Sequence, residues 1–401
     1  MKSLEWLYQT QLFGMKLGLD TTKRLIDQGG VPGEGLTTCH VAGTNGKGSV
    51  CAYLRSLFSL AEGKTVGLFS SPHLVDFSER IQVNDRLIGE GELERLLEEI
   101  RATVEKWDPH PTFFEITLIL ALRHFAERGI ETMVLETGMG GRLDSTNAWD
   151  PVTVSVLTPV DYDHSKWLGD TLEEIAGEKA GIFRPGVPVI SAPQQPEVEA
   201  VFCRQAAQVG TTIRYIDSPY EGKLRLVGEH QRWNAALALE AFRLAGGEAD
   251  PEAAAAALEA TRWPGRFDRI GEGDRYIVDG AHNPHAVEAL VATWRETFPG
   301  EVPTLIFGAV AFKDPEKMLD VLRGLAGSVI LSPIESKRSL SLSELKGLAR
   351  EGERVAESLE SAVALAAENE GRILIAGSLF LAGEAYRVLE EEPWPGNQLL
   401  P

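Results

Sequence analysis

The stretch CHVAGTNGKGSV, residues 39–50, places a glycine-rich turn with one lysine directly after a strand-like run. The usual phosphate-binding loop has a glycine, four free positions and then Gly-Lys-Ser/Thr. Here only two residues separate Gly43 from Gly46, and an additional glycine, Gly48, stands between the lysine and Ser49. A helical pattern follows, so the N–H groups of the loop can converge on a phosphate at a helix N-terminus. This order of strand, loop and helix predicts an α/β nucleotide-binding core.

The residues of the loop have separate predicted roles. Lys47 supplies a point charge for the outer phosphates, and the Ser49 hydroxyl reaches a magnesium ion, as in other nucleotide-binding loops. The alternative is a glycine-rich turn with a solvated lysine, which the flanking strand and helix disfavour. The residues predicted to bind the nucleotide here are Thr44, Asn45, Gly46, Lys47, Gly48 and Ser49.

Strand-like and helical patterns alternate through the rest of the chain, which predicts parallel sheets with crossover helices. The first series has the runs TTCHVAG, TVGLFS, TMVLETG, VTVSVLTPV and VPVISA, with helices at 50–61, 91–106, 115–128 and 171–180. The second series has RYIVDG, TLIFGAV, SVILSP and RILIAGS, with helices at 284–297, 315–325, 342–350 and 359–369. Glycine and proline breakers make 262–274 the expected linker.

These patterns predict an α/β protein with two domains, as the length of 401 residues also favours. Residues 1–265 form the first, a P-loop ATPase-type domain with a mainly parallel sheet flanked by helices. Residues 266–401 form the second, a smaller Rossmann-like α/β domain.

The charge balance limits the classes of partner. With 39 Lys and Arg against 59 Asp and Glu, the net charge is −20, which repels nucleic acid and acidic membrane surfaces. No apolar run approaches the roughly 20 residues needed to cross a bilayer, and Glu5 and Asp20 interrupt the N-terminal stretch where a signal peptide needs an apolar core. We therefore expect a cytoplasmic protein without nucleic-acid or membrane partners.

The three cysteines do not indicate a disulfide framework or a zinc site. Cys39, Cys51 and Cys203 lie far apart and lack any C-x-x-C spacing. They are expected to be buried structural thiols.

A carboxylate follows one of the buried strands of the first series. In VLETGMGGRLDSTN, Glu136 ends the strand and glycines come after it. Such a position aims a side chain into the crevice beyond a parallel sheet, and a carboxylate there suits a metal. Taken alone, Glu136 could equally cap a helix or stabilise a turn.

A second polar group follows the next strand. Asp161, Asp163 and His164 precede a helix that carries Glu178 and Lys179. A lone histidine is usually structural, but this one is expected at the same sheet edge as the glycine loop, which favours a metal site with an imidazole member. The pattern alone indicates that Lys179 is a surface or ion-paired lysine.

The second half of the chain adds polar residues at comparable positions. His230 and Asn234 stand at i and i+4 of a helix and point the same way. Arg266 lies in the expected linker, and Asp279, His282 and Asn283 follow the strand IVDG. An α/β domain binds ligands at that edge, and Asp279 could bond ribose hydroxyls. An ordinary turn would use the same residue types.

Together these residues resemble the folylpolyglutamate synthase/dihydrofolate synthase family, within the wider Mur-type ATP-dependent amide ligases. GTNGKGS is the form of the phosphate loop in these folate ligases. The resemblance runs over nearly the whole chain, through GMKLGLD, AGTNGKGSV, FSSPHLVDFSERIQVN, FFEITL, LETGMGGRLDSTN, DHSKWLGDTLEEIAGEKAGIF, GEHQRWNAALALEA, RWPGRFD and DGAHNP. The nearest departure is AVAFKDPEKM at 309–318, where many relatives have an Asp-Lys-Asp turn.

The resemblance implies roles for individual residues. Lys47 would act with the loop amides on ATP phosphates, and Lys179 would be carbamylated and help hold a second magnesium ion. The implied catalytic residues are Lys47, Lys179, His164 and His282; the implied metal ligands are Ser49, Ser71, Glu136, His164 and Lys179; and the implied further ATP contacts are Asn234, Arg266 and Asp279. The implied folate pocket comprises Gly18 to Thr22, Phe114, Glu115, Leu143, Asp144 and Ser145, and glutamate would lie near His282 and Ser378.

The implied reaction is ATP-dependent addition of L-glutamate to a folate or pteroate through an acyl phosphate, with release of ADP and phosphate. An alternative is a Mur-type ligase acting on a cell-wall or cyanophycin-like substrate, and a nucleotide-dependent switch protein is a third class. The sequence leaves open whether the enzyme is a dihydrofolate synthase, a folylpolyglutamate synthase or both. It also leaves open the product length and the need for a monovalent cation; a monomer is expected.

Overall fold

The computed structural model describes residues 2–14, 18–33, 35–311 and 313–394. They form a mixed α/β protein with two mostly parallel sheets flanked by helices, which confirms the predicted fold class. No helix in these ranges is long and apolar enough to cross a membrane.

The first sheet has eight strands in the order β4-β3-β2-β5-β1-β6-β7-β8. The pairings of β3 with β2 and with β4 are antiparallel, and the others are parallel. The strands are β1 (Thr37–Ala42), β2 (Val66–Phe69), β3 (Ile81–Val83), β4 (Arg86–Leu87), β5 (Thr132–Glu136), β6 (Val154–Leu157), β7 (Val189–Ser191) and β8 (Ile213–Tyr215). The helices around them are α1 (Lys2–Gln9), α2 (Asp20–Ile26), α3 (Lys47–Ser56), α4 (Glu90–Val104), α5 (Phe113–Glu127), α6 (Ser165–Leu168), α7 (Leu172–Ala180), α8 (Pro196–Val209), α9 (Glu229–Leu244) and α10 (Pro251–Ala260).

Both faces of this sheet are covered, so its central strands are buried and mostly apolar, although they include the polar residues Thr38, His40 and Ser155. Successive side chains of β5 enter opposite cores, because strand residues alternate between faces. Val134 packs in the cluster that contains α3 and α9, whereas Met133 and Leu135 pack in the cluster that contains α4 and α5. Glu136, the last residue of β5, therefore ends a strand that is packed on both faces.

The second sheet has six strands in the order β13-β12-β11-β14-β10-β9, with only β9 antiparallel to its neighbour. Its strands are β9 (Asp268–Ile270), β10 (Tyr276–Val278), β11 (Thr304–Phe307), β12 (Ser328–Leu331), β13 (Arg354–Val355) and β14 (Ile373–Ala376). Its helices are α11 (Pro284–Thr297), α12 (Pro315–Arg323), α13 (Leu342–Leu348), α14 (Leu359–Ala367) and α15 (Leu379–Val388).

Three local expectations differ from the structure. The expected linker 262–274 is partly wrong, because it contains β9, which pairs with β10 along the edge of the second sheet. The first crossover helix begins at Lys47, and its expected last turn is a π-helix at Leu57–Ala61. Cys203 is exposed, so the expectation of a buried thiol holds only for Cys39 and Cys51. The division at 265/266 stays a prediction.

Candidate active site

A cavity of about 590 Å³ lies between the two sheets. Its walls come from the loops after β1, β2, β5 and β6, from α9, and from the loop after β10. These loops meet because the carboxyl ends of parallel strands share one edge of a sheet. Among the residues predicted from the sequence, the cavity is lined by Thr44, Asn45, Gly46, Lys47, Gly48, Ser49, Ser71, Glu136, His164, Lys179, Asn234, Arg266, Asp279 and His282.

Two glycines of the loop are required by close approaches. Gly46 precedes α3 in the left-handed conformation, at φ 88°, and a Cβ there would lie 2.5 Å from Asn234 Oδ1. A Cβ on Gly48 would lie 2.5 Å from Trp263 Nε1. The inserted glycine thus allows an indole ring to pack directly on the loop.

The functional side chains of the loop are held in place. Lys47 Nζ donates to the carbonyl oxygens of Gly43, at 3.2 Å, and Thr44, at 3.1 Å, so its ammonium lies over the loop. The buried Ser49 hydroxyl accepts a hydrogen bond from Gln231 Nε2 at 3.2 Å. A point charge and a hydroxyl are therefore presented at the N-terminus of α3, where the helix dipole favours an anion.

Glu136 lies at the end of β5 and is only 4% exposed. Its Oε2 accepts a hydrogen bond from the Ser71 backbone N–H at 3.2 Å. Burial raises the pKa of the carboxyl group, and the nearby Lys47 opposes this shift. A metal ion would compensate for the burial of this charge.

The donor set fits magnesium bound partly by a nucleotide. Glu136 and the hydroxyls of Ser49 and Ser71 are oxygen donors that this ion prefers. Over the part of the chain that the structure describes, no three His, Cys, Asp or Glu side chains are grouped closely enough to hold a metal. Magnesium commonly takes only one or two carboxylates and completes its shell with phosphates and water.

His164 stands in the left-handed conformation, at φ 53°, immediately before α6. Its backbone N–H donates to Asp163 Oδ1 at 2.7 Å, and Asp163 also pairs with Lys313 Nζ from the second sheet's side of the cavity. Burial, with Lys313, Lys47 and Lys179, lowers the pKa of His164 to about 4, against the effect of Asp163. The imidazole is neutral at pH 7 and can act as a ligand.

Lys179 is buried, at 3% exposure, so its interpretation as a surface lysine is wrong. Its Nζ donates to the Gly43 carbonyl oxygen at 2.8 Å. Burial is the main cause that lowers the pKa of this amine to about 7, and Lys47 adds to the effect. The Lys179 side chain therefore contacts the first residue of the glycine loop.

The other wall of the cavity comes from the second sheet. Asn45 and Asn283 exchange side-chain hydrogen bonds of 3.2 and 2.9 Å, and Asn45 Nδ2 also lies 3.0 Å from His285 Nδ1. Asp279 accepts from the N–H groups of Ala281, at 2.7 Å, and Phe267, at 2.8 Å. Burial raises the pKa of Asp279 to about 6, and Arg266 opposes the rise. Both sheets thus contribute to one site.

The helix α9 presents a polar face to the same cavity. His230 and Asn234 both line it, as their i and i+4 positions predict. Asn234 Nδ2 donates to Gln231 Oε1 at 3.1 Å, which links Asn234 to the residue that holds Ser49.

The predicted folate-side residues lie away from the cavity's lining. Glu115 Oε2 accepts from the Thr112 N–H and hydroxyl, each at 2.8 Å, and so completes the N-terminal cap of α5. Phe114 packs edge-on against Phe69, and a Cβ on Gly138 would lie 2.6 Å from its ring.

The remaining substrate-side predictions have mostly structural contacts. Asp144 accepts from the N–H groups of Met139, at 2.8 Å, and Thr146, at 3.0 Å. Ser145 is buried beside it, and Leu143 is half-buried. Ser378 is the N-cap of α15 and accepts from the Phe380 N–H at 3.1 Å.

Two family models and a curated protein match this chain over the regions that form the cavity. The family model of the Mur ligase middle domain matches residues 41–192, and that of the Mur ligase glutamate ligase domain matches residues 265–379. The dihydrofolate synthase/folylpolyglutamate synthase of Bacillus subtilis (strain 168) is 35% identical over 367 residues, which cover 83% of this chain and 85% of that protein. The chain belongs to the dihydrofolate synthase/folylpolyglutamate synthase family.

Solved structures of this family share the whole architecture. The Mycobacterium tuberculosis folylpolyglutamate synthase complexed with ADP and AMPPCP has a TM-score of 0.89 and 28% identity, covering 98% of this chain and 100% of that one. A bifunctional folylpolyglutamate synthase/dihydrofolate synthase with Mn, AMPPNP and L-glutamate bound has a TM-score of 0.85 and 28% identity, covering 97% and 98%.

Sequence reasoning did not single out several residues that lie at or next to the cavity. Gln231 and Trp263 stand within the quoted motifs GEHQRWN and RWPGRFD, so their positions gave a signal. Lys313 lies in the stretch AVAFKDPEKM, residues 309–318, for which the sequence implied no functional role. It is 150 residues along the chain from its partner Asp163. No local pattern connects such a pair.

Proposed function

We propose that this protein adds L-glutamate to a folate or pteroate in an ATP-dependent ligase reaction. The observation that carries the proposal is the convergence of the glycine loop, the buried Glu136, the partly exposed His164 and the wall containing Asp279 on one cavity. The family's named activities, and the relative with Mn, AMPPNP and L-glutamate bound, support it. The alternative of a cell-wall or cyanophycin-like substrate lacks comparable support.

The reaction must first activate a carboxylate, which is a poor electrophile. Transfer of the ATP γ-phosphoryl group to a carboxylate oxygen gives an acyl phosphate and ADP. The glutamate amine then attacks the acyl carbon; a C–N bond forms, the C–O bond to phosphate breaks, and the amine loses a proton. Lys47 neutralises charge on the transferring group, because a fixed cation in a partly buried site stabilises the transition state.

The residues proposed to hold magnesium are Ser49, Ser71, Glu136 and His164, with Lys179 at a second ion. When bound, the metal supplies charge neutralisation for phosphoryl transfer. The number of ions and a monovalent-cation requirement belong to this proposal, since the manganese complex of a relative supports only a divalent metal. Asn234, Arg266 and Asp279 are proposed to orient the nucleotide from α9 and the second sheet.

Lys179 is proposed to be carbamylated. The support is geometric: its amine is buried and donates to the Gly43 carbonyl oxygen, on the loop that also carries Lys47. An ammonium here would repel a cation in a region where water is scarce. A carbamate would instead supply oxygen donors.

The substrate side is proposed to include Phe114, Glu115, Leu143, Asp144 and Ser145, next to the segment Gly18 to Thr22. The hydrogen bond from the Thr22 hydroxyl to Glu115 Oε1, at 3.1 Å, supports a connection between these parts. His282 and Ser378 are proposed to meet the incoming glutamate.

The division into domains 1–265 and 266–401, the monomeric state, the cytoplasmic location and the absence of nucleic-acid or membrane partners are retained as further proposals. They rest on the sequence patterns and on the net charge of −20.

The test measures ADP release with dihydropteroate and with tetrahydrofolate side by side, each with and without L-glutamate. We expect release that requires both glutamate and at least one of the two pterin substrates. The pattern of substrates then distinguishes dihydrofolate synthase, folylpolyglutamate synthase and the bifunctional case. ADP release that depends neither on glutamate nor on either pterin substrate would contradict the proposal.

A further inference from the structure

Trp394, the last residue that the structure describes, packs against the first sheet's core although it follows the last helix of the second sheet. Its ring meets the ring of Trp263 edge to face, with centroids 5.6 Å apart and an angle of 81°. Trp263 belongs to the connecting segment, residues 261–267, between α10 and β9. After α15, the chain therefore returns from the second sheet to the connecting segment between the two sheets.

Hydrogen bonds of Tyr386 also join this end of the chain to the connecting segment. Beyond α15, the Glu391 N–H donates to the Tyr386 carbonyl oxygen at 2.8 Å. The Tyr386 hydroxyl donates to Asp268 and accepts from the Gly265 N–H at 3.1 Å. Tyr386 thus contacts the connecting segment at Gly265, and Trp394 contacts it at Trp263.

The ring of Trp263 leads from this contact to the glycine loop. A Cβ on Gly48 would lie 2.5 Å from Trp263 Nε1 and 3.0 Å from Cε2, so the indole edge packs on the loop backbone. Gly48 stands between Lys47 and Ser49, and all of them line the cavity together with Trp263. Movement of the Trp263 ring would change the space available to the loop.

We infer that Trp394 is a positioning residue for nucleotide binding, which acts through Trp263 on the loop around Gly48. The inference rests on the proposed function, because it assumes that the loop holds ATP phosphates. Without the Trp394 ring, Trp263 loses one side of its packing and can adopt other rotamers, and the loop amides lose a fixed boundary. Binding of the phosphates would then be weaker, whereas the transfer step would be little changed.

The contact depends on ring packing. The Trp394 indole N–H is buried and has no hydrogen-bond partner among the residues described. A phenylalanine at this position keeps an aromatic edge and removes that unpaired donor, so it provides a matched control. Aromatic pairs of this geometry contribute energies that correspond to changes of about threefold to tenfold in an equilibrium constant.

The experiment titrates Mg-ADP into the full chain by calorimetry and compares wild type, Trp394→Ala, Trp394→Phe and Val329→Ala. Val329 is buried in the second sheet's core away from the cavity, so its variant reports loss of stability alone. We expect Trp394→Ala to raise the Kd for Mg-ADP by about threefold to tenfold and the KM for ATP similarly, with kcat at saturating ATP retained. Trp394→Phe and Val329→Ala should bind like wild type.

Equal affinity of Trp394→Ala and wild type, with a lowered Tm, would overturn the inference and leave the proposed function standing. Failure of the wild-type protein to bind Mg-ADP would overturn both. If Trp394→Ala does not fold, Trp394→Leu makes the same comparison, since it retains apolar bulk without a ring.

Discussion

At the scale of single residues, the site depends on two lysines that the glycine loop brings together. Lys47 donates hydrogen bonds to the carbonyl oxygens of Gly43 and Thr44, and Lys179, from α7, donates to the same Gly43 oxygen. Two amines on one carbonyl oxygen would repel each other if both were charged. Their chemical states therefore decide what the loop can bind.

Replacement of Lys47 by alanine should abolish ligation while the protein stays folded. Among the residues that the structure describes, the hydrogen bonds of this side chain are to its own loop, so the fold loses little. Phosphate neutralisation is lost, however, and kcat should fall by about a hundredfold or more. Steady-state kinetics at saturating ATP and thermal unfolding measure the two effects. Lys317→Ala, at an exposed lysine, is the control; near-normal turnover of Lys47→Ala would remove Lys47 from the nucleotide site.

Replacement of Lys179 by alanine should remove most activity, and acetate or formate should restore part of it. A short carboxylate can occupy the space left by the shortened side chain and replace the oxygen donors of a carbamate. The assay compares rescue by acetate with an equal concentration of chloride. A plain amine in a well-resolved structure, with full activity of the wild type in carbon-dioxide-depleted buffer, would defeat the carbamate proposal.

At the scale of elements, the loops at the carboxyl ends of β1, β5 and β6 bring the site residues together. Period-2 and helical patterns located these strands and placed Glu136 and His164 at their ends, because the sheet is parallel. They could not place Lys313, since its contact with Asp163 depends on how the second sheet lies against the first. The short strands β3, β4, β8 and β13 were likewise missed, because each has only two or three residues and lies outside a longer apolar run.

Glu136→Gln and His164→Ala should each raise the magnesium concentration needed for half-maximal activity and lower the maximal rate. Glu136→Gln replaces a negatively charged carboxylate donor with a neutral amide, and His164→Ala removes an imidazole donor, so both changes should lower metal affinity. Magnesium titrations at fixed ATP measure the shift. An unchanged titration in both variants would exclude these residues from the metal site.

Lys313→Met should destabilise the protein by up to about 3 kcal/mol, because it leaves the buried Asp163 carboxylate unpaired. Urea unfolding measures the loss. Lys317→Met is the matched control, since Lys317 lies four residues along and its ion pair with Asp314 is exposed. The double variant Asp163→Asn/Lys313→Met should recover part of the loss; equal stability of Lys313→Met and Lys317→Met would show that the pair contributes nothing.

At the scale of the whole molecule, the cavity exists because two sheets with separate cores face one another. The sequence predicted the two series of strands, and motifs such as DGAHNP indicated that both would contribute to the site. It could not show that Asn45 pairs with Asn283, or that the chain returns from α15 to Trp263, because these contacts join distant segments through tertiary packing. The expected linker also included β9, whose place in the second sheet depends on pairing with β10.

The most direct measurement of carboxylate activation follows an oxygen atom. The pterin substrate that supports ADP release is labelled with ¹⁸O in its reacting carboxylate and incubated with ATP, magnesium and L-glutamate. An acyl phosphate carries one carboxylate oxygen to phosphate when the amine attacks. We predict a product larger by one glutamate residue and inorganic phosphate that contains one ¹⁸O atom. Unlabelled phosphate, with no glutamate added to the pterin, would contradict the ligase mechanism.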